Sequence, residues 1–132
     1  MSFLIDTDTC SANLKANRAV KNRFLQHTGG IYISTVTLGE LYTWVLRAGA
    51  SPKRLQSLQE LVADVTVLDV TQDIAQRFGE VRAGLFDRGV PAPDLDLLIA
   101  ATALVHDFTL VTQNTQDFVN VPGLRLADWT MP

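Results

Sequence analysis

Short runs of unbroken apolar residues alternate with segments of helical periodicity, and this alternation constrains the fold more than any other feature of the chain. Phe3-Leu4-Ile5, Ile31-Tyr32-Ile33-Ser34, Val65-Thr66-Val67-Leu68 and Thr109-Leu110-Val111-Thr112 are too short for helices and read as buried strands. Between them, Ala19, Val20, Phe24 and Leu25 form a helical stripe that Gly29-Gly30 brings to a stop. Leu38, Leu41, Tyr42, Val45 and Leu46 form a second stripe. Pro52 opens a helix through Leu55, Leu58, Leu61 and Val62, and Thr71 caps another carrying Ile74, Phe78, Val81 and Leu85. After the loop Gly89–Pro93, residues 94–105 read as an apolar helix, and a fifth strand is expected near Leu124-Arg125-Leu126. The pattern predicts an α/β fold whose short, mostly parallel central sheet is covered by helices on both faces. In such sheets a site forms beyond the carboxyl ends of the strands, where the strand order reverses.

A length of 132 residues is that of one domain, expected here over 1–132. A chain of this size buries roughly two-thirds of its unfolded surface and needs no covalent staple. Cys10 is the sole cysteine, which excludes an intramolecular disulfide and argues against a cysteine-based zinc site. The first apolar run has no basic flank and is broken by Asp6, against a signal peptide. No apolar stretch approaches the ~18 residues of a membrane span. A soluble, cytoplasmic protein is expected. The net charge of −3 is unevenly spread: residues 1–54 carry seven Lys/Arg against three acids, residues 55–132 four against eleven. The first part could present a basic patch to phosphates, and two ordinary solvated faces would give the same count.

Acids stand at the ends of the apolar segments. Asp6 ends the first strand, Glu40 follows Ser34-Thr35-Val36-Thr37-Leu38-Gly39, Asp96 opens Leu97-Leu98-Ile99-Ala100-Ala101, and Asp117 lies beyond Thr112-Gln113-Asn114. Carboxylates gathered in a partly buried site repel one another, and an oxygen-seeking divalent cation removes that cost. Each acid also has a plainer role open to it. Asp6 could be a turn residue, and Asp8 could cap a helix starting near Cys10. Thr37-x-x-Glu40 fits a capping box as well as a ligand. Of Asp94 and Asp96, Asp94 is placed to cap its helix and leaves Asp96 free. Asn114 and Asp117 fall in a polar loop, and Thr112 ends a strand where it could orient a water. His27 and His106 read as surface or helix-end residues, and Trp44 and Trp129 as packing or partner anchors rather than base-stacking platforms.

The ordered set Phe3–Asp8, Ile33–Leu41, Asp96–Ala103 and Leu110–Phe118 resembles the PIN-domain ribonucleases, and more closely the VapC toxins of bacterial toxin–antitoxin pairs. The tail Val121–Trp129 is similar to the branch of that family that cuts initiator tRNA. The resemblance covers nearly the whole chain. It implies a PIN-like fold and a Mg²⁺- or Mn²⁺-dependent endoribonuclease, acting on a tRNA in its anticodon loop. It places the metal on Asp6 and Asp96, with Glu40 as a further essential acid. Where many PIN domains carry a fourth acid, this chain offers Asn114 followed by Asp117, and Asp8 stands where Asn is common. The resemblance further implies a homodimer and a VapB-like antitoxin that blocks the cleft.

Two other readings compete. Asp6-Thr7-Asp8 after a first strand resembles haloacid-dehalogenase-like phosphatases, which need a downstream Lys; none follows Lys53. A catalytically inactive PIN-like binding module would have lost the acids, which are present.

Overall fold

The computed structural model describes residues 1–131. Strands β1 (Phe3–Ile5), β2 (Ile31–Ser34), β3 (Thr66–Leu68), β4 (Thr109–Val111) and β5 (Leu126–Ala127) form one parallel sheet in the order β3-β2-β1-β4-β5. Six α-helices connect and cover them: α1 (Thr7–Leu14), α2 (Arg18–Gln26), α3 (Thr35–Leu46), α4 (Lys53–Asp64), α5 (Gln72–Asp87) and α6 (Asp94–His106). A turn of 3₁₀ helix, Thr115–Phe118, links β4 towards β5. The α/β class, the parallel sheet and the two helical layers are those expected.

The first strand is central because every residue in it is buried. Alternate side chains serve opposite faces. Phe3 and Ile5 join Ile31, Ile33, Val111 and residues of α2, α3 and α4 in one core; Leu4 joins Leu110 and residues of α5 and α6 in the other. Helix α6 lies largely in the interior, with Leu97, Ile99, Ala100, Ala101, Thr102 and Ala103 all buried, which explains its lack of a polar face. Trp129 is a packing residue: it is buried against Phe3 and Phe24 and stacks on His27 at 5.3 Å. His27 and His106 stand at helix ends. Cys10 is wholly buried beneath Ile5.

Several boundaries differ from the sequence expectation. Helix α1 begins at Thr7, not near Cys10, with Asp6 as its cap: one Asp6 oxygen accepts the Thr7 amide. Helix α3 begins at Thr35, and Ser34 rather than Thr37 caps it by accepting the Val36 amide at 3.0 Å. Asp94 is the first residue of α6, and Pro93 occupies the cap position without a side-chain bond. The fifth strand lies at Leu126–Ala127, later than expected. In the α2–β2 turn Gly29 takes φ +88°, and a Cβ on Gly30 would lie 2.6 Å from the Met1 carbonyl oxygen. The glycine pair thus makes the turn and admits the N-terminal strand beside it.

The chain builds outward from β1 through β2 to β3, then returns to place β4 and β5 on the other side of β1. The order therefore reverses between β1 and β4, and the crevice beyond their carboxyl ends is where such folds place ligands. Asp6 follows β1 and Thr112 follows β4 directly.

Candidate active site

Asp6 sits at the base of that crevice, fixed through both carboxylate oxygens. Oδ1 accepts the Thr7 amide at 2.8 Å, and Oδ2 accepts the Thr112 hydroxyl at 2.9 Å. The strand geometry dictates this: the Asp6 amide continues the ladder to the Val111 carbonyl at 2.8 Å, which brings Thr112 alongside. Burial foremost, then the Asp8 charge, pushes the Asp6 carboxyl up to about 6; the Thr112 and Thr7 hydrogen bonds oppose this with smaller effects, and Asp96 adds a smaller upward push. Thr112 does not stand free to orient a water as expected. Its hydroxyl serves Asp6 and also accepts the Asn114 amide at 3.1 Å.

Glu40 lies in the second turn of α3, so the capping-box role fails with the shift of the cap to Ser34. Its carboxylate instead accepts the Thr7 hydroxyl at 2.7 Å, and that hydroxyl lies 3.2 Å from the buried Thr37 hydroxyl. Thr7 therefore ties α1 to α3 across the crevice, a role that sequence reasoning missed. The available signal was a hydroxyl set between two acids immediately after a buried strand.

Asp96 stands in the first turn of α6, partly buried, and its carboxyl is raised by burial first and then by Glu40, Asp117 and Asp8. Asp117, exposed on the 3₁₀ turn, reaches the cluster through that charge effect. Asp94 turns away and pairs with Arg82 at 2.9 Å on the surface.

Asp8 does not cap its helix; it pins the loop after β4. Its carboxylate accepts the Gln113 amide at 3.1 Å and the Asn114 side-chain amide at 2.9 Å, and lies 3.3 Å from the Thr112 hydroxyl. Asn114 is thus committed to Asp8, whose carboxylate reaches the loop from α1.

Five carboxylates, those of Asp6, Asp8, Glu40, Asp96 and Asp117, sense one another in this crevice, and among the described residues none forms an ion pair. Nor do any three His, Cys, Asp or Glu side chains there already converge as a coordination shell. The donor set is all oxygen, negatively charged and uncompensated. It fits a hard divalent cation in kind, and a monovalent ammonium or guanidinium group as a second choice. Two clefts flank the acids. One, of about 600 Å³, runs past Asp8 to Lys15 and Asn17; the other, of about 480 Å³, runs from Glu40 to Arg47 and Arg54.

A parallel sheet in this order, with acids at the β1/β4 switch point, defines a class that comparison makes specific. Residues 3–124 match the PIN domain. A relative from Salmonella typhimurium, named tRNA(fMet)-specific endonuclease VapC, is 31% identical over 130 residues, 98% of each chain. One of the same name from Shigella flexneri is 34% identical over 131 residues, 98% of this chain and 99% of that one. The chain belongs to the PIN-domain family and, within it, to the VapC proteins. Among solved structures, VapBC2 from Rickettsia felis bound to a DNA fragment from its promoter superimposes with a TM-score of 0.91 at 26% identity, covering 98% of this chain and 99% of that one. DNA-bound VapBC from Salmonella typhimurium gives 0.90 at 30% identity, covering 98% of each chain. This membership sets aside the dehalogenase-like phosphatase reading. Among the described residues no helix is long and apolar enough to cross a membrane.

Proposed function

We propose that this chain is the toxin of a VapB–VapC-type pair: a single-domain, divalent-metal-dependent endoribonuclease that cuts a tRNA within its anticodon loop. The observation that carries the reading is the uncompensated acid cluster at the switch point, with Asp6 held up to about 6. A protein does not gather so much unpaired charge without a counter-ion to receive. Asp6, Asp96 and Glu40 are the ligands for Mg²⁺, with Mn²⁺ as substitute, and Asp117 extends the cluster on its open side. When bound, the ion supplies Lewis acidity that activates water near neutral pH and offsets charge on the phosphate.

The chain's own residues do the positioning. Thr112 and the Thr7 amide fix the Asp6 carboxylate in one rotamer, and the Thr7 hydroxyl does the same for Glu40. Asp8 and Asn114 hold the loop that carries Asp117. Lys15 on one flank and Arg47 and Arg54 on the other bring RNA phosphates to an otherwise negative crevice. The names of the two relatives above support a tRNA substrate. Loop bases can be splayed and read, whereas paired stems hide their edges in a deep groove. The same acids offer an antitoxin's Arg or Lys a charge-assisted seat in place of the metal. Exposed Tyr42, Leu46, Phe86 and Leu95 leave apolar surface for a homodimer.

The reading is tested with purified protein and by end-mapping of cellular RNA after brief expression. Cleavage is expected with Mg²⁺ or Mn²⁺ and not in EDTA, and Asp96→Asn is expected to remove it while leaving the fold intact. Undiminished cleavage in EDTA refutes the metal. One dominant cut in one tRNA's anticodon loop supports the substrate; cuts spread over mRNA overturn it and leave the ribonuclease standing.

A further inference from the structure

Glu40, Trp44 and Arg47 follow one side of α3 and its C-terminal cap at i, i+4 and i+7. The cleft of about 480 Å³ runs along this row and is floored by small residues, including Ala48 and Ala50. Trp44 is half-buried, yet it belongs to neither hydrophobic core. What holds it is Arg54 from α4, whose guanidinium lies 4.9 Å from the ring centroid and donates to the Trp44 carbonyl oxygen at 2.8 Å. That bond satisfies a carbonyl at the end of α3 and fixes an indole–guanidinium pair in the cleft wall. Arg47 is exposed and, among the described residues, forms no ion pair. One end of the cleft is a candidate metal-site acid; the other carries two of the cations the acidic half of the chain lacks.

We propose that this cleft is a nucleotide subsite for single-stranded RNA: a base next to the scissile phosphate stacks on Trp44, and a flanking phosphate meets Arg47. The inference rests on the ribonuclease reading and names the residues that take the substrate beyond the acids. A flat aromatic surface beside cations suits any unpaired base, since every base has a π face. A paired stem offers no free face, so the subsite selects loops. An apolar peptide would leave Arg47 unpaired and an acidic one would leave the indole face unused, whereas a nucleotide offers the indole a π face and the guanidinium a phosphate, so RNA is the occupant the chemistry favours over a protein segment.

Fluorescence reports the subsite without cleavage. The chain has two tryptophans, and Trp129 is 2% exposed, so bases in solution reach only Trp44. An eight-nucleotide single-stranded oligoribonucleotide titrated into the Asp6→Asn protein is expected to quench emission saturably, and the same sequence as a duplex is not. In the cleaving protein, Trp44→Leu is expected to raise KM about tenfold with little change in kcat, in line with the usual worth of one stacked base, and Trp44→Phe to stay within about threefold. Arg47→Ala is expected to raise KM and reduce the salt slope by about one. Absent quenching together with unchanged KM in Trp44→Leu and Arg47→Ala overturns the subsite, while persisting cleavage keeps the ribonuclease reading. No cleavage by the unsubstituted protein, with quenching intact, sinks that reading instead. Variants that bind RNA normally but lose a purified antitoxin show a protein-docking groove, which also overturns the proposal.

Discussion

Replacing Asp6 by Asn should make the protein more stable at neutral pH while disabling it. Asn keeps the shape of Asp, and its side-chain oxygen can still accept the Thr7 amide or the Thr112 hydroxyl. What it loses is a charge that burial and Asp8 disfavour. A tenfold change in proton affinity is worth about 1.4 kcal/mol. The rise of the Asp6 carboxyl from 3.8 to about 6 therefore costs the folded state about 3 kcal/mol once the group is ionised. Between these two values the folded chain binds a proton the unfolded chain has released. Stability is therefore full below pH 3.8 and is lost as pH rises through about 6. A chain of 132 residues has an unfolding entropy of about 0.28 kcal/mol/K, so the full cost corresponds to about 10 °C in Tm. Thermal melts of both proteins in EDTA, from pH 4 to 8, measure it. The expected gap is several degrees at pH 7.5 and closes towards pH 4. Equal Tm at pH 7.5, or a gap independent of pH, refutes the charge argument.

Other outcomes follow from the same contacts. Glu40→Gln keeps an acceptor for the Thr7 hydroxyl and should leave Tm within a few degrees while cleavage falls at least a hundredfold; normal cleavage would return Glu40 to a structural role. Asp8→Asn and Asn114→Asp should each loosen the loop after β4, and the double exchange should recover it, because the 2.9 Å carboxylate–amide bond is restored with its ends reversed. Hydrogen exchange at Gln113 and Asn114 reads this directly, and a double variant no better than the singles removes Asp8 as the pin. Trp129→Ala should cost about 3–5 kcal/mol in urea unfolding, as for other buried aromatics. Asp94→Ala should cost under about 1 kcal/mol, since its pair with Arg82 is exposed.

The sheet was legible because β1 has no polar position to hide: three consecutive buried side chains leave no face for water. Asp6 was legible for the same reason, as a carboxylate set directly against that strand. The start of α3 was not. Ser34-Thr35-Val36-Thr37 offers three hydroxyls that could cap, and nothing local says that β2 passes into α3 without a loop. That ambiguity alone made Glu40 look like half of a capping box. Asp8 was misjudged for a different reason: its partners lie 104–106 positions away, beyond any local pattern. Asn114 looked like an amide in a metal site and is instead the far end of that contact. Trp44 and Trp129 are the same residue type with opposite settings, which only packing distinguishes.

The pairing of Asp6 with Thr112 joins positions 106 residues apart. A ribosome adds about 5–20 residues per second, so about 5–20 s separate the synthesis of the two partners. Throughout that interval the nascent chain holds β1 without its β4 neighbour, and the crevice has only one wall. Products that end between Asp96 and Thr109 carry Asp6, Glu40 and Asp96 but no switch point to gather them round. Threading the site through segments 106 positions apart thus delays its assembly until β4 has been made, and synthesis interrupted before that leaves fragments without the assembled centre.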